Sequence, residues 1–156
     1  MSDSTVTAFS DIASLERAVG GPAYLSEWVT VTQKMIDEFA EVTIDPQWIH
    51  VDAERAKKES PYGTTIAHGF LTLSLLSHFI ETAVSFPNAK MGINYGFEKV
   101  RFVSAVPSGT ELQAAFTLAE VKPAEGGVQL AWAVEVRGRG AAKPALAAVW
   151  LSRIYM

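Results

Sequence analysis

The chain has 156 residues, 13 basic against 17 acidic side chains, a formal charge of −4 and no cysteine. That length suits one domain able to bury about 70% of its unfolded surface. The missing cysteine excludes disulfides, thiolate nucleophiles and cysteine-held metals, and suits a reducing, cytoplasmic setting.

Lys and Arg are scattered on a net acidic chain, which argues against nucleic acid as a partner. No run of about 18 apolar residues is present, so no membrane span is expected. The polar start, Met1 to Ser10, lacks the pattern of a signal peptide. A single domain over 1–156 is therefore expected, with residues 1–22 as an N-terminal helical extension.

In chain order, Asp11 to Val19 predicts a short amphipathic helix stopped by Gly20-Gly21-Pro22. Glu27 to Val31 predicts a short strand. Thr32 suits an N-cap, and Met35, Ile36, Phe39 and Ala40 form a helical stripe behind it. Pro46 disfavours a helical residue before it, so this helix ends near Asp45. Asp52 to Lys58 predicts a second short helix, and Ser60 to Gly63 a loop. Gly69 to about Ser85 predicts one long helix. Its apolar residues wrap most of the circumference, implying burial on nearly all sides.

The hydrophobic period then changes from 3.6 to 2. Tyr95 to Val103 is a strand candidate. Leu112, Ala114, Phe116 and Leu118 share one face, as do Val128 to Val136 and Leu146 to Ile154 at alternate positions. Turn residues separate these runs. A long buried helix followed by an antiparallel meander is an α+β layout, with the sheet wrapped around the helix.

Two proton-transfer groups, Asp45 and His50, stand five residues apart around Pro46. Adding water to an activated double bond needs a base for the water and an acid for the α-carbon, and a carboxylate and an imidazole sharing one water supply both. The spacing equally suits Asp45 as an N-cap with Pro46 at the first helical position, and His50 as a hydrogen-bonded core histidine. His68-Gly69 opens the long helix, whose first amides lack internal partners and carry partial positive charge. Such an end can hold an oxygen that gains charge, or merely turn the chain. His78 lies mid-helix and suggests no role. The histidines show no His-x-x-x-His spacing, so no metal is expected.

Three blocks together resemble the MaoC-like (R)-specific enoyl-CoA hydratases: Asp45-Pro46-Gln47-Trp48-Ile49-His50, Pro61 to Leu73 around His68-Gly69, and Ile93-Asn94-Tyr95-Gly96 with Lys99-Val100-Arg101-Phe102. The resemblance spans about residues 25 to 155. It implies a hot-dog fold, a curved antiparallel sheet around a long central helix. It also implies a homodimer with active sites near the subunit interface. The implied reaction is reversible hydration of a trans-2-enoyl-CoA, with Asp45 and His50 catalytic and the Gly69 amide as oxyanion donor. Gln47, Tyr62, His68, Ser77 and Asn94 would surround the substrate, and Lys99 and Arg101 would meet the CoA phosphates, although a solvated strand face explains those two cations as well. No cofactor is implied beyond the CoA carried by the substrate.

Many members have Gly directly before the catalytic Asp, where this chain has Ile44. A β-branched residue does not easily take positive φ, so an altered loop entry or a narrowed pocket is expected. Two rivals are a hot-dog thioesterase, disfavoured because the helix carries only Glu81, and a non-catalytic acyl-CoA-binding subunit, disfavoured because the Asp–His pair is kept.

Overall fold

A computed structural model describes residues 5–156. Strand β1 (Thr7–Ala8) leads into helix α1 (Ile12–Ala18), which Asp11 opens through a capping box with Ser14. Leu15 of α1 is fully buried, and the Gly20 amide bonds the Leu118 carbonyl at 2.9 Å, so this segment packs into the main core. Strands β2 (Tyr24–Leu25) and β3 (Val29–Thr30) follow. The strand expected over 27–31 is only β3, and β2 lies outside that expectation. Buried Ser26, just after β2, accepts the Ala114 amide through its hydroxyl at 2.9 Å.

Helix α2 (Gln33–Thr43) starts at Thr32, whose hydroxyl accepts the Met35 amide. Short helices α3 (Trp48–Val51) and α4 (Ala53–Glu59) come next, the second capped by Asp52. The long helix is two segments, α5 (Gly69–Ser74) and α6 (Leu76–Ala83). Leu75 between them keeps right-handed helical angles, φ −67° and ψ −14°, so the axis continues across the break. Val84 and Ser85, expected at the end of the helix, form β4 (Val84–Ser85) and pair in parallel with β1. Burial is also less complete than the apolar count predicts. Leu71, Leu76, Phe79 and Ala83 are buried, whereas Phe70 is 67% exposed.

Strands β5 (Met91–Phe102), β6 (Glu111–Ala124), β7 (Gly127–Gly138) and β8 (Leu146–Tyr155) complete the chain. The sheet order is β2-β6-β7-β8-β5, with β3 also on β6. The three period-2 faces all turn inward. Phe116, Leu130, Trp132, Leu146 and Trp150 close on Phe79 and Leu76 of α6 in one core. The α+β layout with a sheet around a central helix is thus as the pattern predicts.

β5 is the edge of this sheet, and its outer side is unpaired. It exposes Met91, Ile93, Tyr95, Phe97 and Phe102. A long apolar edge is a template for further pairing.

Candidate active site

α2 delivers Asp45 through its C-terminal turn. The Asp45 amide bonds Ala40 O at 3.0 Å and the Ile44 amide bonds Glu41 O at 3.3 Å, the paired bonds of a Schellman turn. Such a turn needs a left-handed residue, usually glycine. Ile44 fills it at φ 58°, ψ 42°, the one non-glycine with positive φ among the described residues. The loop entry therefore keeps the geometry that glycine would give, contrary to the expectation from β-branching. Ile44 is 86% exposed, so solvent, not core packing, surrounds the strained residue.

The chain then enters α3 at Gln47, which caps without a side-chain bond. Asp45 is thus not the N-cap, and its side chain stays about half exposed. His50 sits on α3, a helical turn where the sequence suggests a loop, and is 8% exposed. Its Nδ1 lies 2.7 Å from Ile66 O. A carbonyl only accepts, so Nδ1 carries the proton, and a neutral His50 keeps its Nε2 lone pair. Burial pushes the His50 pKa below its ordinary 6.5, and His68 adds to this. The Ile66 bond and Asp45 oppose the shift. The neutral form is the one a base requires.

His68 precedes α5 and is 3% exposed. Its ring stacks on His50 with centroids 3.8 Å apart and planes at 24°. Its Nε2 donates to Asp45 O at 3.1 Å and lies 3.8 Å from the Asp45 carboxylate. Its buried Nδ1 has no partner. Sequence reasoning marked His68 as a substrate contact; the signal for its actual surroundings lay in its position beside Gly69, but the ring stack is a tertiary event.

Gly69 is the first residue of α5, where an amide has no intrahelical acceptor. A Cβ there would lie 2.9 to 3.1 Å from the Phe102 ring, so a larger residue would push against that half-exposed side chain. Gly69, His50, Tyr62 and Thr72 line one cavity of about 490 Å³, together with Phe102 and Val106.

The other expected residues lie apart from this cavity. Ser77 and Asn94 line a second cavity, also about 490 Å³, between α6 and β5, with Trp132 and Trp150 at its base. Gln47 is exposed beside α3. Lys99 and Arg101 are exposed on β5, and Arg101 bonds only its neighbour's carbonyl among the described residues. Phe102, the last residue of β5, and Val103 border the first cavity, and Met91 to Asn94 border the second, so β5 contributes to both.

A carboxylate oxygen and two ring nitrogens of Asp45, His50 and His68 lie within 4.8 Å of one another.

The sequence matches the family described as MaoC like domain over residues 14–137. Over 141 residues it is 44% identical to 3-hydroxyacyl-thioester dehydratase Z of Mycobacterium tuberculosis, covering 90% of this chain and 93% of that protein. It is 43% identical to nodulation protein N of Rhizobium meliloti over 147 residues, 93% of this chain and 89% of the other. The (R)-hydratase from A. caviae involved in PHA biosynthesis superposes with a TM-score of 0.69 at 19% identity, covering 84% of this chain and 94% of that one, which shows the shared hot-dog fold. The chain belongs to the MaoC-like dehydratase family and is an enzyme of the hydro-lyase class.

Proposed function

We propose that this enzyme adds water reversibly to a trans-2-enoyl-CoA, giving the (R)-3-hydroxyacyl-CoA by syn addition. The observation that carries this reading is His50. It is neutral, fixed through Nδ1–H to Ile66 O, and faces the cavity that the Gly69 amide also borders. The Gly69 N–H polarises the thioester oxygen as charge develops there. Asp45 and His50 hold one water, remove a proton as its oxygen bonds C3, and return a proton to C2. Water is the only co-reactant, so no redox cofactor enters and CoA arrives with the substrate. The two groups act as a coupled pair, and neither transfer is assigned to one alone.

The working unit in this reading is a homodimer in the cytoplasm. A second copy paired along β5 would cover Met91, Ile93, Tyr95 and Phe97 and roof both cavities. Lys99 and Arg101 on that strand would meet the CoA phosphates at its rim, and Gln47, Tyr62, Ser77 and Asn94 would line the acyl path.

The test is a spectrophotometric assay of the purified protein with crotonyl-CoA and longer enoyl-CoAs. Loss of the conjugated enoyl absorbance without release of free thiol is the expected result. Thiol release would assign a thioesterase, and no change with any chain length would assign a binding subunit; either overturns the proposal.

A further inference from the structure

Two imidazoles lie ring on ring in this site, and the proposed chemistry uses one of them. His68 is 3% exposed, so it has no open face for a substrate. Its ring is clamped between His50, at 3.8 Å between centroids, and Phe39 of α2, at 5.0 Å. Its Nε2–H reaches the carbonyl of Asp45, while its Nδ1 has no hydrogen-bond partner among the described residues. A buried ring atom left without a partner is disfavoured, and apolar Phe would fill the same slot without it. The edge that does have partners touches both the main chain and, at 3.8 Å, the carboxylate of Asp45.

We propose that His68 is a positioning residue: it ties the Asp45 turn to the start of α5 and holds the His50 ring in its plane. Asp45 is half exposed at the end of a helix, on a turn that contains a strained residue. Its one tether to the helix carrying Gly69 is the His68 bond. The tether sets the distance between the carboxylate and the oxyanion amide, because His68 and Gly69 are consecutive. The stack keeps His50 from tilting away from its bond to Ile66. Burial is the main cause that lowers the His50 pKa, and the neighbouring His68 acts in the same direction. The titratable groups facing the two rings are Asp45, from the turn after α2, and Tyr62, which shares the His50 cavity; α2 contributes Phe39, and α5 contributes Gly69 and Thr72.

This inference rests on the hydratase reading for its kinetic arm only. His68→Phe keeps an aromatic ring against His50 and removes the bond to Asp45. We expect kcat to fall about tenfold or more, as a misplaced group does, with KM within about twofold. His68→Gln can still donate to the Asp45 carbonyl, and we expect it to recover most of that kcat. In both variants the His50 imidazole, followed by NMR titration and assigned through His50→Gln, should titrate at higher pH than in the parent. A folded His68→Phe protein with parental kcat and an unshifted His50 titration would overturn the proposal. Equal loss in both variants with no shift would also overturn it, assigning His68 to packing alone. Should His68→Phe not fold, His68→Gln decides through its His50 titration. Should the parent hydrate no enoyl-CoA, the hydratase reading fails, and the titration still decides whether His68 acts on His50.

Discussion

Replacing Ile44 by glycine should stabilise the protein without harming catalysis. Ile44 holds φ 58° in the Schellman turn that ends α2, a conformation that brings Cβ against the following carbonyl. For an L-residue this costs about 1–2 kcal/mol. Glycine removes that cost but loosens the unfolded chain, which returns about 0.4–1 kcal/mol. The lost side chain contributes little burial, since Ile44 is 86% exposed. The net gain is therefore about 0.5–1 kcal/mol, or a rise of about 1–4 °C in Tm for a domain of this size. Differential scanning calorimetry of Ile44→Gly, with Ile44→Val as a control that keeps the β-branch and gains nothing, measures this directly. The turn's bonds from Asp45 to Ala40 O and from residue 44 to Glu41 O are main-chain bonds and survive the change, so hydration activity should stay near parental. A Tm equal to or below that of the parent would refute the reasoning, because it would mean that the turn stores no strain.

Four further outcomes follow from the site and the sheet edge. Gly69→Ala keeps the oxyanion amide but sets a Cβ within about 3 Å of the Phe102 ring; Phe102 is half exposed and can shift, so Tm should drop slightly while kcat/KM falls about tenfold as the cavity is distorted. The acid limb of kcat/KM should lie below pH 6.5, since burial lowers the His50 pKa from that value. The same depressed pKa means the unfolded chain takes up the proton first, so stability contributed by His50 should be lost as pH falls from 6.5 toward its folded value, and chemical denaturation across that window checks the sign. Light scattering should find a species of twice the 16.9 kDa chain mass at micromolar concentration; a monomer would leave the apolar β5 edge unexplained.

The legible parts of this fold are those set by local periodicity. Alternating apolar residues from Leu112 to Ile154 define three inward faces, and all three are buried as the pattern requires. Thr32 is the cap its position suggests, and the helices expected from Asp11 and Asp52 start there, with those residues as their caps. The misses come from tertiary bonds. The short strand β2 escapes the sequence reading because it exists only through pairing with β6, far along the chain. The end of the long helix unwinds because Val84 and Ser85 pair with β1, some 77 residues earlier in the chain. Ile44 shows that a turn's paired main-chain bonds can override a side-chain preference. At the site, the block resemblance marked Asp45, His50, His68 and Gly69, and the structure brings them together. The stack of His50 on His68 was not legible, because two rings 18 positions apart meet only after α3 and α5 dock. Ser77, Asn94, Lys99 and Arg101 lie along β5 and α6, away from the His50 cavity.

The central claim is that the Asp45 carboxylate takes part in proton transfer. Asp45→Asn preserves shape and main-chain bonding, including the carbonyl that accepts from His68, and removes only the titrating group. The steady-state rate of enoyl-CoA hydration by this variant, measured beside the parent with melting curves to confirm folding, tests the claim most directly. A positioned acid or base contributes about 10² to 10⁴-fold, and a loss in that range is the expected result. The double variant with His50→Gln should lose far less than the product of the two single losses, because groups that handle one water act as a unit. A folded Asp45→Asn protein that hydrates within about threefold of the parent, well below that range, would contradict the account.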